Sequence, residues 1–211
     1  MINILLVDDH AIFREGLKKI IENTSGMGVT GEANNGQEAL DQVWKNKFDL
    51  VILDISLPGR SGLEILKEIK KSNPQLPVLI LSMHSEDQYA RRLLKAGASG
   101  YLKKDSAFDE LVNAIRTIHD GHKYISPVVA NILAEFIEKD ADKEPHELLS
   151  DREFQVLCMI GTGKTVTEIS KELSLSDKTI STYRARILEK MRMRTNADLT
   201  FYAISNKLVK N

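Results

Sequence analysis

Leu5-Leu6-Val7-Asp8-Asp9 and Val51-Ile52-Leu53-Asp54 decide the fold of the first half of this chain, because each is a short apolar run that ends in carboxylates. Such runs alternate with helix-length amphipathic segments as far as residue 122, and glycines or prolines lie near the segment ends. The predicted strands lie at about 2–7, 28–32, 49–53, 78–82 and 99–102. This pattern predicts an α/β domain over residues 1–122, in which five βα units surround a doubly wound parallel sheet.

Carboxylates follow the first and third predicted strands. Because the carboxyl ends of parallel strands meet at one edge of a sheet, we expect Asp8, Asp9 and Asp54 to lie close together. The fourth strand delivers Ser82 to the same edge, and the segment after the fifth delivers Lys104. Clustered carboxylates repel one another unless a cation neutralises them, and an all-oxygen set suits Mg²⁺. With a metal and a lysine beside it, a carboxylate is able to accept a phosphoryl group. The alternative for Asp8 or Asp9 alone is a helix cap.

A second, all-helical domain is predicted over residues 148–211. The segment 123–147 is predicted to be a linker with one apolar helix followed by a polar tether. Beyond it, helix-length patterns occupy about 150–161, 165–173, 177–191 and 196–207, with Thr165 and Ser176 at helix starts. Residues 148–211 carry 11 basic and 7 acidic residues, so this part is cationic although the whole chain has a formal charge of −1.

The third of these helical segments has two contrasting faces. A short turn over residues 173–176 joins it to the preceding segment, as in a helix-turn-helix. Its apolar side consists of Ile180, Tyr183, Ile187, Leu188 and Met191, and Arg184 lies close to this side. The opposite side is small, polar and basic. Such a face fits the major groove of DNA, which is about 12 Å wide. A solvated basic face is the alternative for this helix taken alone.

The first domain resembles the receiver domains of two-component systems. The motifs that carry the resemblance are Leu6–His10, Leu53–Gly62, Leu81-Ser82 and Gly97–Asp105. The resemblance implies that a sensor histidine kinase phosphorylates Asp54. It also implies Mg²⁺ bound by Asp9, Asp54 and the Ser56 carbonyl, with Asp8 acting through water. Ser82 and Lys104 are expected to contact the phosphoryl group, and Tyr101 occupies the aromatic switch position. Asp105 stands where many receivers have proline.

The second domain is similar to the LuxR-type helix-turn-helix, and the whole chain therefore resembles the NarL/FixJ response regulators. The motifs are Leu149–Leu157, Gly161, Glu168-Ile169, Leu173, Lys178–Ile180, Ile187 and Lys190-Met191. By position, three residues are expected to face bases: Ser181, Thr182 and Ala185. Four others are expected on the DNA backbone: Lys178, Thr179, Arg184 and Arg186. Tyr183 and Ala185 depart from the histidine and basic residue that members often carry. The candidates for dimer contacts in the last helix are Leu199, Tyr202, Ala203 and Leu208.

The resemblance implies a transcription regulator whose DNA binding and dimerisation are controlled by phosphorylation. Its expected partners are a sensor histidine kinase, double-stranded DNA and a second copy of the chain, with RNA polymerase considered as a further partner. Enzymatic activity is expected only as the receiver's own phosphorylation and autodephosphorylation. One alternative is a phosphorylation-independent DNA-binding regulator or adaptor with an unused receiver site. Another is a phosphatase of the haloacid dehalogenase type, which needs a second aspartate where Ser56 stands.

Composition excludes several other classes. The 211 residues include 29 Lys+Arg and 30 Asp+Glu, and 42% are hydrophobic, as in ordinary globular proteins of one or two domains. No apolar run approaches the ~18 residues of a membrane span, and no secretory signal pattern is visible, so a cytoplasmic protein is expected. Cys158 is the only cysteine, which excludes an intrachain disulfide and any multi-cysteine zinc site.

Overall fold

The computed structural model describes residues 1–83, 92–126, 130 and 144–209. The chain divides into two compact units, Met1–Asn131 and Ile132–Asn211. Most of the predicted linker, including its helix, lies outside the described residues.

The first unit is built on a parallel sheet. Its strands are β1 (Ile2–Val7), β2 (Met27–Ala33), β3 (Leu50–Asp54), β4 (Val78–Ser82) and β5 (Gly100–Lys103). They lie in the order β2-β1-β3-β4-β5, and every neighbouring pair is parallel. The predicted five-stranded parallel sheet is therefore confirmed.

Helices cover both faces of this sheet. They are α1 (Ala11–Glu22), α2 (Gly36–Lys45), α3 (Gly62–Ser72) and α4 (Lys104–His119). Residues 92–95 are also helical, and residues 84–91 of the predicted fourth crossover lie outside the described residues. Helix α1 packs against α4, and α2 packs against α3. Strands β3 and β4 are buried along their whole length, as expected for near-continuous apolar strands between two helical layers.

The second unit is helical over its described residues 144–209. A short 3₁₀ helix (Pro145–Leu148) precedes α5 (Asp151–Gly161), α6 (Val166–Glu172), α7 (Asp177–Met191) and α8 (Asn196–Ser205). Helices α5, α6 and α8 begin with capping boxes, in which the cap hydroxyl accepts a backbone N–H and an acidic side chain accepts another. The predicted helical domain is confirmed, with Thr165 and Ser176 as N-caps.

The core of this unit consists of apolar side chains from all four helices. Phe154, Ile169, Ile187 and Leu199 are fully or almost fully buried, and Cys158 is buried among the apolar positions of α5. Among the described residues of both units, no helix is long and apolar enough to cross a membrane.

Candidate functional site

Two buried carboxylates lie at the carboxyl edge of the sheet. Asp8 directly follows β1 and Asp54 is the last residue of β3; both side chains are fully buried. Val7 and Leu53 are paired across these strands, so the register places the two aspartates side by side. Asp9 is more accessible, with 31% of its side chain exposed. The structure therefore brings together the three carboxylates predicted to form one cluster.

Lys104 connects the two buried carboxylates. It is the first residue of α4, directly after β5, and its Nζ lies 2.7 Å from Asp8 Oδ2 and 2.7 Å from Asp54 Oδ2. Its side chain is only 4% exposed, and Nζ also lies 4.9 Å from the centre of the Phe13 ring. One ammonium group thus contacts two carboxylates in a setting from which water is largely excluded.

Burial affects the titration of this cluster. It raises the pKa of the Asp54 carboxyl above 3.8, and the Asp8 charge acts in the same direction while Lys104 opposes it. Burial disfavours the charged form of Lys104, but the carboxylates of Asp54 and Asp8 outweigh it and raise the lysine pKa above 10.5. Lys104 is therefore a permanent cation at the phosphorylation site that the sequence predicts.

The remaining carboxylate oxygens accept hydrogen bonds from loop residues. The backbone N–H of Ser56 donates to Asp54 Oδ1 at 2.9 Å, and that of His10 donates to Asp8 Oδ1 at 2.8 Å. The ring Nδ1 of His10 lies 2.8 Å from Asp9 Oδ1. The candidate ligand atoms of Asp8, Asp9, His10 and Asp54 all lie within 4.8 Å of one another. Because three of these donors are carboxylates, the set fits a hard divalent cation such as Mg²⁺.

Two further residues shape this pocket: Arg14, which the sequence analysis did not select, and Gly62, which it quoted only as the end of a motif. Arg14 donates from Nη1 to the Asp8 carbonyl at 2.6 Å and from Nε to Glu32 Oε2 at 3.1 Å, which ties the loop after β1 to the end of β2. Gly62 lies against β3: a Cβ at this position would stand 2.4 Å from the Asp54 carbonyl oxygen. Only the turn pattern around Gly62 was visible in the sequence.

Ser82 and Tyr101 lie on the two strands beyond Asp54. Asp54 pairs with Leu81, so Ser82 is the next residue along β4 at the same edge, and its side chain is fully buried. Tyr101 is buried within β5, 4% exposed, opposite Ile80. These positions agree with the expected topology, and the switching roles of both residues stay predictions.

The outer face of α7 is polar and accessible. Five of the residues predicted to contact DNA are exposed: Lys178, Ser181, Thr182, Ala185 and Arg186; Thr179 is half-buried. A surface depression of about 280 Å³ is lined by Ser176, Lys178, Thr179, Thr182, Tyr183 and Arg186. The sequence analysis assigned Ser176 to a helix cap and Tyr183 to the apolar side, so their place in this depression was missed.

Arg184 differs from the other basic residues of α7. It is half-buried, and its Nε donates a hydrogen bond to Asn196 Oδ1 at the start of α8. Helical periodicity placed Arg184 near the apolar side, but the neighbouring helix that engages it was not visible in the sequence. This bond uses only Nε of the guanidinium, and the two Nη groups are not part of it.

Helix α8 corrects the choice of residues for dimer contacts. Leu199, Ala203 and Leu208 are buried in the unit's own core, and Tyr202 is half-buried with its hydroxyl 2.9 Å from His146 Nδ1. The exposed apolar side chains of this helix are Phe201, at 75%, and Ile204, at 37%. Leu199, Ala203 and Leu208 are therefore wrong as contacts to a second copy, because their side chains are used in the core of their own unit. The candidate Tyr202 stays a prediction.

Each of the two units matches a known protein family. Residues 4–116 match the response regulator receiver domain family, and residues 147–203 match the luxR family of bacterial regulatory proteins. The response regulator UvrY of Escherichia coli (strain K12) is 39% identical over 209 residues, which cover 99% of this chain and 96% of UvrY. The response regulator GacA of Pseudomonas aeruginosa is 36% identical over 210 residues, covering 99% of this chain and 98% of GacA.

A solved structure is also similar over almost the whole chain. RcsB from Salmonella enterica serovar Typhimurium, bound to promoter P1flhDC in the presence of the phosphomimetic BeF₃⁻, matches with a TM-score of 0.61 and 27% identity, covering 98% of each chain. The fold and site define a receiver joined to a helix-turn-helix regulator. This chain belongs to the NarL/FixJ family of two-component response regulators. That assignment replaces the phosphatase alternative.

Proposed function

We propose that a sensor histidine kinase transfers a phosphoryl group to Asp54, and that the phosphorylated chain dimerises and binds double-stranded DNA to regulate transcription. The observation that supports this is the contact of one buried lysine, Lys104, with the carboxylates of Asp8 and Asp54. Such a site holds a cation in contact with the carboxylate that would accept the phosphoryl group.

The chemistry assigns a role to each oxygen of Asp54. A carboxylate oxygen attacks the phosphorus of the donor phosphohistidine, the new O–P bond forms and the P–N bond breaks, so the imidazole leaves. Oδ1 is held by the Ser56 N–H and Oδ2 by Lys104, so phosphorylation replaces one of these contacts. Lys104 then neutralises a phosphoryl oxygen. Asp9, Asp54 and the Ser56 carbonyl, with Asp8 acting through water, would hold Mg²⁺, which would supply further charge neutralisation.

Ser82 and Tyr101 connect this site to the protein surface. The new phosphoryl charge draws the Ser82 hydroxyl toward it, and Tyr101 repacks in β5. The change biases an equilibrium between two states toward the dimer. Enzymatic activity of the receiver is confined to its own phosphorylation and autodephosphorylation, and the setting is the cytoplasm.

DNA binding is assigned to the outer face of α7. Four residues contact the DNA backbone: Lys178, Thr179, Arg184 and Arg186. Ser181, Thr182 and Ala185 meet base edges in the major groove. The exposed Phe201 and Ile204 of α8 supply an apolar contact to a second copy. A symmetric dimer binds half-sites about one helical turn apart, and RNA polymerase is a further partner at the promoter.

The test combines phosphorylation with DNA selection. Acetyl phosphate and Mg²⁺ are added to the wild type, to Asp54→Ala and to Asp109→Ala, an exposed acidic residue on α4 that serves as the matched control. Intact mass should show a phosphoryl adduct in the wild type and Asp109→Ala but not in Asp54→Ala. Selection from random duplexes should enrich a motif with two-fold symmetry, and the phosphorylated chain should bind this motif more tightly than the unphosphorylated chain. Equal DNA binding without any adduct would favour the phosphorylation-independent regulator instead.

A further inference from the structure

Asp177 connects the two helices of the helix-turn-helix. It is the first residue of α7, directly after the N-cap Ser176. Its Oδ2 accepts a hydrogen bond from the Thr167 hydroxyl at 3.0 Å, and its Oδ1 accepts one from the Ser170 hydroxyl. Both hydroxyls belong to α6, almost one helical turn apart. One side chain thus ties the start of α7 to α6 at two points.

These two hydrogen bonds restrict the rotation of α7 relative to α6, which apolar packing alone does not fix. Ile169 of α6 and Ile180 of α7 are fully buried and hold the helices together. Apolar contact is non-directional, however, so it tolerates small rotations of one helix on the other. Two hydrogen bonds that one carboxylate accepts have preferred directions, and the donor Ser170 is only 5% exposed. Such bonds oppose a rotation of α7 on α6 that apolar contact alone would tolerate.

The negative charge of Asp177 opposes DNA binding, whereas its hydrogen bonds position the helix that binds. The neighbouring Ser176, Lys178 and Thr179 line the depression on the proposed DNA-binding face. Hydrogen bonds from Ser170 and Thr167 lower the pKa of Asp177 below 3.8, so this carboxylate is ionised at neutral pH. An anion beside the phosphate backbone weakens association by electrostatics alone. Its position therefore needs another explanation.

We propose that Asp177 is a positioning residue for sequence-specific DNA binding: it fixes the angle of α7 on α6, and this outweighs the repulsion between its charge and the DNA backbone. The proposal rests on the DNA-binding part of the proposed function. It assigns the contacts among Asp177, Ser170 and Thr167 to specificity, because base contacts require exact placement and phosphate contacts do not.

Three variants separate the charge of Asp177 from its hydrogen bonds. Asp177→Asn removes the charge but retains both partners, since the amide accepts one hydrogen bond and donates the other to a hydroxyl oxygen. Asp177→Ala removes the charge and the bonds. The double variant Ser170→Ala with Thr167→Val removes the bonds and retains the charge.

Binding of the full chain is measured to two duplexes of equal length across a salt series. One is the duplex that the wild type enriches from a random library, and the other comes from the unselected library. We expect Asp177→Ala and the double variant to lose about tenfold in affinity for the enriched duplex, while affinity for the unselected duplex is kept or increased. Asp177→Asn should bind both duplexes at least as tightly as the wild type. Equal loss on both duplexes, or no loss in Asp177→Ala, overturns the proposal.

A measurement without DNA keeps the two proposals distinguishable. Hydrogen exchange of peptides spanning residues 166–183 should be faster in Asp177→Ala and the double variant, and unchanged in Asp177→Asn. If exchange is unchanged in all three, Asp177 does not brace the helices and the inference fails, whatever the DNA results. If exchange responds as expected but the wild type enriches no DNA motif, the DNA-binding assignment fails and positioning for DNA is overturned with it.

Discussion

Replacing Lys104 by methionine tests whether the buried ion bridge stabilises the first unit. The ammonium group lies 2.7 Å from a carboxylate oxygen of both Asp8 and Asp54, and all three side chains are buried. Removing one partner of a buried ion pair costs about 3–5 kcal/mol, because it leaves uncompensated charge. The variant can instead protonate one of the two carboxyls. Because a free aspartate has a pKa near 3.9, protonation at pH 7 costs about 4 kcal/mol, at ~1.36 kcal/mol for each pH unit, and this cost is the upper limit of the stability loss. We therefore expect Lys104→Met to lower the unfolding free energy of this unit by about 3–4 kcal/mol.

Urea unfolding followed by the fluorescence of Trp44 measures this effect. Trp44 is the only tryptophan of the chain and lies in α2, so its signal reports on the first unit. Lys103→Met is the matched control, since Lys103 is the half-exposed neighbour of Lys104. In EDTA this control variant should change the unfolding free energy by less than about 1 kcal/mol. Added Mg²⁺ should stabilise Lys104→Met more than the wild type, because the cation replaces the missing charge. If Lys104→Met is as stable as Lys103→Met in EDTA, the argument from the buried ion bridge is refuted.

Three further predictions concern both units. Gly62→Ala places a Cβ 2.4 Å from the Asp54 carbonyl oxygen, so it should destabilise the first unit by about 1–3 kcal/mol and slow phosphoryl incorporation. Unfolding followed by Trp44 fluorescence measures the first effect and intact mass the second; wild-type values in both would show that the turn relaxes around the new Cβ. Burial disfavours ionisation of Glu153, but Lys190 and Ser150 outweigh it and lower its pKa below 4.5. The stabilisation by ionised Glu153 is therefore fully present above its pKa in the unfolded chain and is lost as the pH falls through its lower pKa in the folded chain. The difference in unfolding free energy between wild type and Glu153→Gln, measured by circular dichroism, should narrow below about pH 4.5. A difference that stays constant with pH contradicts this. Phe201→Ser should weaken dimers of the phosphorylated chain about tenfold in analytical ultracentrifugation without changing its melting, and unchanged dimers would exclude this face of α8.

Local sequence determined the architecture of both units. Apolar runs that end in aspartate predicted the strands, and the order of the βα units predicted a parallel sheet whose carboxyl edge collects Asp8 and Asp54. Thr165 and Ser176 marked helix starts, because a hydroxyl before a periodic segment caps free N–H groups. These features depend on neighbours in the chain and on strand order, so they can be inferred from the sequence.

The tertiary structure alone decided which side chains meet across separate elements. Arg14 reaches the Asp8 carbonyl, Arg184 binds Asn196, and Asp177 binds two hydroxyls of α6. It also decided that Leu199 serves the core while Phe201 remains exposed. Periodicity assigns a residue to a face of its own helix, but the partner on that face depends on the crossing angle and register of another element. Those quantities arise from packing the whole unit, and no single segment contains them.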